Sequence, residues 1–141
     1  MQRDETRSGT DSDDWGVAVK RQIEAMAGIV RRAALSLRCA VESYPFGPAM
    51  TVFRLFDDSG AVFAMFDQGG GQLFVRVSED IHDAAREIEG MVPRKFWKNW
   101  VSLDLSIHDD PADIVSYINE SWLEVAERQT RADRERLGFE T

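Results

Sequence analysis

The sequence predicts an α+β domain of two layers, with helices packed on an antiparallel β-sheet of about five strands. Three observations carry that prediction. Met50 to Val77, MTVFRLFDDSGAVFAMFDQGGGQLFVRV, holds three short apolar runs separated by two turn clusters, the pattern of an antiparallel meander. Val101 to Ile107 alternates apolar with polar residues without a fault, as a half-buried strand does. Near each end of the chain, apolar residues recur at steps of three and four, which is the period of a helix with one face in a core. In order, the elements read helix, strand, three-strand meander, helix, strand, helix, so that helices cover a mostly antiparallel sheet.

Residues 1–14 hold five acids and two bases, with too little apolar area to offset the entropy of ordering, and are expected to form a disordered lead. A single domain is expected over residues 15–137, with residues 138–141 frayed. Asp13 or Asp14 suits a helix cap, after which Trp15, Val19, Ile23, Met26, Val30, Ala33 and Leu37 form an apolar stripe. Arg31, Arg32 and Arg38 then complement the negative end of the helix dipole. Val41 to Tyr44 reads as a short strand, and two prolines within Pro45-Phe46-Gly47-Pro48 end it, because proline has no N–H to give a ladder.

In the meander, Asp57-Asp58-Ser59-Gly60 and Asp67-Gln68-Gly69-Gly70-Gly71 supply the local hydrogen bonds and positive φ that tight reversals need. Strict alternation puts Phe53, Leu55, Phe63, Met65, Leu73, Val75 and Val77 on one sheet face. It puts Val52, Arg54, Phe56, Val62, Phe66, Phe74 and Arg76 on the other. Neither face is polar, so the second must meet another surface or bind something. Ser78 or Asp80 caps a short second helix with Ile81, Ala84, Ala85 and Ile88 inward, closed by Gly90 and Pro93. Asp110, Pro111 and Asp113 start the last helix, whose stripe is Ile114, Ile118, Trp122 and Val125. The charged stretch from Arg128 to Thr141 is expected to fray.

The formal charge of −8 disfavours broad attraction to nucleic acid or anionic lipid, so such binding needs a local basic patch. A single cysteine, Cys39, allows no intrachain disulfide and suits a reducing compartment. No apolar run reaches the length of a membrane span, and a cytoplasmic location is expected.

Tyr44-Pro45-Phe46-Gly47, the meander with its glycine turns, Pro93 followed by Lys98-Asn99-Trp100-Val101, and Ile118-Asn-Glu-Ser121-Trp122-Leu-Glu-Val125 together resemble the MmcQ/YjbR family. The likeness spans roughly residues 15 to 137 and rests on order and spacing rather than on one diagnostic string. Trp122 stands where the family usually has a Tyr, and the residues before Trp100 lack the His often found there. The resemblance implies a compact fold likened to frataxin-type and secretion-chaperone folds. It also implies DNA binding, a label drawn from a "double wing" arrangement of hairpins and itself an analogy of fold.

The residues themselves offer few catalytic candidates. Gly69-Gly70-Gly71 feeds a strand rather than a helix, which suits a hairpin turn and not a phosphate cradle. His82 and His108 sit beside acids, but two histidines without cysteines or helical His spacing make a poor metal set. Glu79, Asp80, Asp83 and Glu87 lie close together on the second helix, where charged runs are ordinarily solvated. Cys39 reads as a small buried hydrophobe at a helix end. The sequence thus points to a non-enzymatic domain without metal or cofactor. Arg94, Lys95 and Lys98, interleaved with Phe96, Trp97 and Trp100, are the one place where bases and aromatics alternate, as phosphate contact with ring stacking requires. The simpler reading buries Trp97 and Trp100 under the sheet. Arg54 and Arg76, placed on a face with Phe56, Phe66 and Phe74, make a second aromatic and basic surface that suits single-stranded nucleic acid or a protein interface. Two partners follow: DNA, as the resemblance implies, or self or another protein gripped through that face by an adaptor or chaperone-like module.

Overall fold

A computed structural model describes the backbone of residues 2–95 and 97–139, and the side chains of 16–95 and 97–139. The chain order is α1 (Gln2–Leu35), β1 (Ala40–Ser43), β2 (Met50–Leu55), β3 (Val62–Asp67), β4 (Gln72–Arg76), α2 (Glu79–Ala84) with a 3-10 turn (Ala85–Glu87), β5 (Met91–Pro93), β6 (Trp100–Asp104), α3 (Pro111–Ala126) and α4 (Arg131–Arg136). All strand pairs are antiparallel in one sheet of order β1-β2-β3-β4-β6-β5. The predicted α+β class holds, with β5 and α4 added.

The helices cover one face. Val30 and Ala34 of α1 and Ile114, Ile118 and Val125 of α3 bury against Phe53, Leu55, Phe63, Leu73, Val75 and Leu103 of the sheet. Helix α3 starts where its residue types say it should: the Asp110 side chain accepts the Ala112 N–H, and Pro111 fills the first turn, where its missing N–H costs nothing. Ser78 caps α2 in the same way by accepting the Ile81 N–H. Gly60 is required by close approach, since a Cβ there would lie 1.7 Å from the Leu55 carbonyl oxygen.

The remaining differences from expectation have physical causes. Helix α1 is continuous from Gln2, with no boundary at Asp13 or Asp14. The side chains of residues 1–15 lie outside the described residues, and the backbone of 2–14, expected as a disordered lead, is helical. Strand β6 stops at Asp104 rather than Ile107, because the Asp104 carboxylate turns back to accept from the Ser106 N–H and hydroxyl. Ser102, expected in water, is buried. The segment after Arg128 does not fray: Thr130 caps α4, Leu137 is buried, and Phe139 stacks on Trp122 at 6.0 Å. Residues 140 and 141 lie outside the described residues.

Strand β3 carries the most consequential departure. Phe53 pairs with Ala64 and Arg54 with Val62, so Phe63 is an extra residue in the ladder, a β-bulge. Phe63 and Ala64 both join the core, and beyond them the alternation slips by one. Met65 therefore leaves the helix-covered face, and Phe66 enters it with 3% of its surface exposed.

Candidate binding groove on the open sheet face

With helices on one face only, the other is built from the register. Ser43, Val52, Met65, Phe74, Ser102 and Val92 pair in sequence across all six strands and form a row that is apolar except for its two serines. Next to it runs a second row: Val41 opposite Arg54, Arg54 opposite Val62, and Arg76 opposite Trp100. Arg94 closes that row, its N–H donating to the Trp100 carbonyl at 2.9 Å.

Two loops rise over this face. Residues 44–49 bring Phe46, and residues 94–99 bring Trp97. They shield the row between them, so Val52 is fully buried and Met65 only 6% exposed. Phe46 and Trp97 themselves remain 74% and 46% exposed, large apolar side chains held in water by their loops. Two connected lobes result, sharing Phe46, Met65 and Trp97 as a waist. The larger, of about 580 Å³, is lined additionally by Met50, Phe74, Val92, Pro93, Arg94 and Lys95. The smaller, of about 310 Å³, adds Val52, Arg54, Val62 and Trp100. Among the described residues neither lining contains a carboxylate.

The cations hold distinct positions. Arg94 lies over the Phe74 ring, 5.6 Å from its centroid, a cation–π contact that fixes the guanidinium at the groove mouth. Arg54 donates from one terminal nitrogen to the Gly60 carbonyl at 3.1 Å, while its Nε is buried and meets no acceptor among the described residues. Arg76 Nε is buried and unpaired likewise. Burial, reinforced by the nearby Arg128 and partly offset by Glu124, lowers the Arg76 pKa from its ordinary value. Trp97 meets Trp100 edge-on at 5.7 Å, so the two tryptophans divide: Trp100 is buried in the wall and Trp97 stands free.

The structure thus gathers Arg54, Phe74, Arg94, Lys95 and Trp97 at one groove. It does not bring the other expected residues there. Phe66 is in the core because of the bulge. Phe56 follows β2 at φ 74°, which breaks the alternation and turns its ring toward α4, where the Arg136 guanidinium lies 4.1 Å from the centroid. Arg76 shares the cationic row but lies outside both linings, and Lys98 is exposed in the loop without lining either lobe. Phe96 lies outside the described residues. Phe46, Met65 and Val92 were not legible as site residues. Only the placement of Phe46 between Pro45 and Gly47, where an aromatic ring has no strand to bury it, hinted at its exposure.

The other candidates have local roles. Asp67 accepts the Gly69 and Gly70 N–H groups and Gly71 takes φ 64°, so the glycine triplet is the β3–β4 hairpin turn. His108 Nε2 lies 2.7 Å from the Glu89 carbonyl oxygen with its ring edge-on to Tyr117. Among the described residues no three His, Cys, Asp or Glu side chains gather closely enough to hold a metal ion. Cys39 sits at φ 63°, half-buried, its thiol toward the Arg136 carbonyl. No helix among the described residues is long and apolar enough to cross a membrane.

Known proteins share this architecture. The crystal structure of Deinococcus radiodurans protein DR2400, which carries a DUF419 domain, superposes with a TM-score of 0.66 at 21% identity, covering 78% of this chain and 86% of that one. That likeness establishes the fold. Among curated proteins none matches the chain. The YjbR family model matches residues 35–124, which run from the end of α1 through the sheet into α3 and include every residue that lines the groove. The chain therefore belongs to the YjbR family.

Proposed function

We propose that this chain is a non-enzymatic binding domain that grips an apolar segment of a protein partner in the groove between Phe46 and Trp97. One observation carries the reading: of the nine described residues lining the larger lobe, seven are apolar and two are cations. A site of that composition gains affinity from area removed from water and orientation from its charges. Exposed Trp97 with Arg94 beside it is also the residue pairing found at energetic centres of protein interfaces.

A second reading, single-stranded nucleic acid, is favoured by one specific observation: Arg54, Arg76 and Arg94 fall on a single row across the strands, beside exposed aromatic rings. The net charge of −8 works against it.

Calorimetric titration of the full chain with an oligothymidylate strand, a DNA duplex and a synthetic peptide with a Leu-Phe centre separates the readings. The protein reading expects the peptide to bind with weak salt dependence and Trp97→Ala to abolish that binding. Tight oligothymidylate binding that falls steeply with salt, with no peptide binding, would replace it with the nucleic-acid reading.

A further inference from the structure

We infer that the groove selects a short extended peptide whose apolar centre is flanked by an acidic residue on each side. The inference rests on the protein-binding reading and adds to it the chemistry of the partner.

The two lobes share an apolar waist of Phe46, Met65 and Trp97, and each lobe has its own cation: Arg54 in one, Arg94 and Lys95 in the other. Both ends are thus positive, the middle is neutral, and among the described residues no carboxylate lines either lobe. An amphipathic ligand with one charged end leaves one of these cations unanswered, whereas a ligand with two answers both. The Arg54 end carries a second sign of an absent acceptor. Its Nε hydrogen is buried and unpaired among the described residues, although one terminal nitrogen reaches Gly60. Buried donors are nearly always satisfied, and a guanidinium with free donors is shaped for a carboxylate. Opposite charges in an otherwise acidic protein also make the groove the place where acids on a partner are attracted rather than repelled.

Register sets the length. Arg54 lies on β2 and Arg94 follows β5, with β3, β4 and β6 between them in the sheet. Four strand steps of about 4.8 Å place the Arg54 and Arg94 backbones about 19 Å apart, and the Arg94 guanidinium reaches back over Phe74 of β4, which brings the two charges closer than that. An extended peptide covers about 3.3 Å per residue, so its acids are separated by at most about six residues. The peptide crosses the strands rather than adding to the sheet. Edge strand β5 cannot extend the ladder well, because Pro93 offers it no N–H.

The test measures binding of synthetic peptides to the full chain by Trp fluorescence and calorimetry. Peptides have one apolar centre flanked by two Asp, by Asp at either end alone, by Asn at both ends, or by Lys at both ends. A further two-Asp peptide has its centre lengthened by three residues, beyond that limit. The two-Asp peptide with the shorter centre is expected to bind at least about tenfold more tightly than the Asn-flanked one, with single-Asp peptides between. Arg54→Gln is expected to weaken the two-Asp peptide several-fold, and Arg54→Lys to restore part of the loss. Arg94→Gln with Lys95→Gln, in an exposed loop where folding is not at stake, is expected to weaken it independently. Equal affinity for Asn- and Asp-flanked peptides would overturn this inference while leaving the apolar groove standing. Equal affinity for the lengthened peptide would overturn the spacing. If no peptide binds, whatever its flanks, the inference and the protein-binding reading both fall.

Discussion

Ser121 on α3 reaches through the core to the backbone of Arg76 on β4. Its hydroxyl accepts the Arg76 N–H at 2.8 Å and donates to the Phe63 carbonyl of β3, so one side chain bridges two strands at the point where their pairing stops after Ala64 and Val75. The bulge at Phe63 opens that gap, and the serine fills it with hydrogen bonds in place of the missing ladder rung. Ser121 is fully buried. Ser121→Ala keeps the volume nearly unchanged but leaves a buried N–H without a partner, and is expected to cost about 1–3 kcal/mol in urea unfolding. A loss well under 0.5 kcal/mol would mean that the bridge contributes nothing.

Leu137 ties the end of the chain to the core, with Phe139 stacked on Trp122 and Arg136 over Phe56 on either side. Leu137→Ala is expected to destabilise the fold by about 2–5 kcal/mol, as for other fully buried leucines. Unfolding midpoints of wild type and variant check it. A charged, fraying tail would show no change.

Arg31 of α1 holds Glu42 of β1 through two hydrogen bonds, of 3.0 Å and 2.8 Å. The hydrogen bond from Arg31 lowers the Glu42 pKa, and the pair is partly exposed. A carboxylate whose pKa is lower in the folded state stabilises the fold above its unfolded pKa. That contribution disappears as pH falls through the folded value, which lies below the ordinary glutamate value. Glu42→Gln is therefore expected to narrow the gap between unfolding midpoints at pH 7 and pH 3, and an unchanged gap would contradict it. The effect is small, as for surface ion pairs generally.

Phe46 and Trp97 project into water from loops, so each is expected to tolerate truncation. Trp97→Ala is expected to change stability by less than about 1 kcal/mol while removing peptide binding. A large loss of stability would assign Trp97 to packing rather than to recognition.

Much of this architecture is legible in residue types, and the rest is not for identifiable reasons. The caps at Ser78 and Asp110, the turn at Asp67 to Gly71 and the stripe from Ile114 to Val125 are local, and local chemistry settles them. The faces of β3 are not local. A bulge is a property of two strands together, so counting by twos sends Met65 inward and Phe66 outward when the structure has the reverse. The same limit applies to the tail: Leu137 and Phe139 look like isolated apolar residues among charges until Phe139 is seen stacked on Trp122 and Leu137 buried in the core. Of the groove, the cations and Trp97 were visible as a basic and aromatic run. The opposing wall at Phe46 required the loop to be seen folded back over the sheet.

Backbone amide NMR of the labelled chain, titrated with the two-Asp peptide, shows whether recognition occurs where the groove lies. Shifts are expected to concentrate at Phe46, Arg54, Met65, Phe74 and the loop of Arg94 to Trp97, leaving α1 and α3 undisturbed. Shifts confined to the helical face, or none at saturating peptide, would contradict the assignment of the open sheet face as a binding surface.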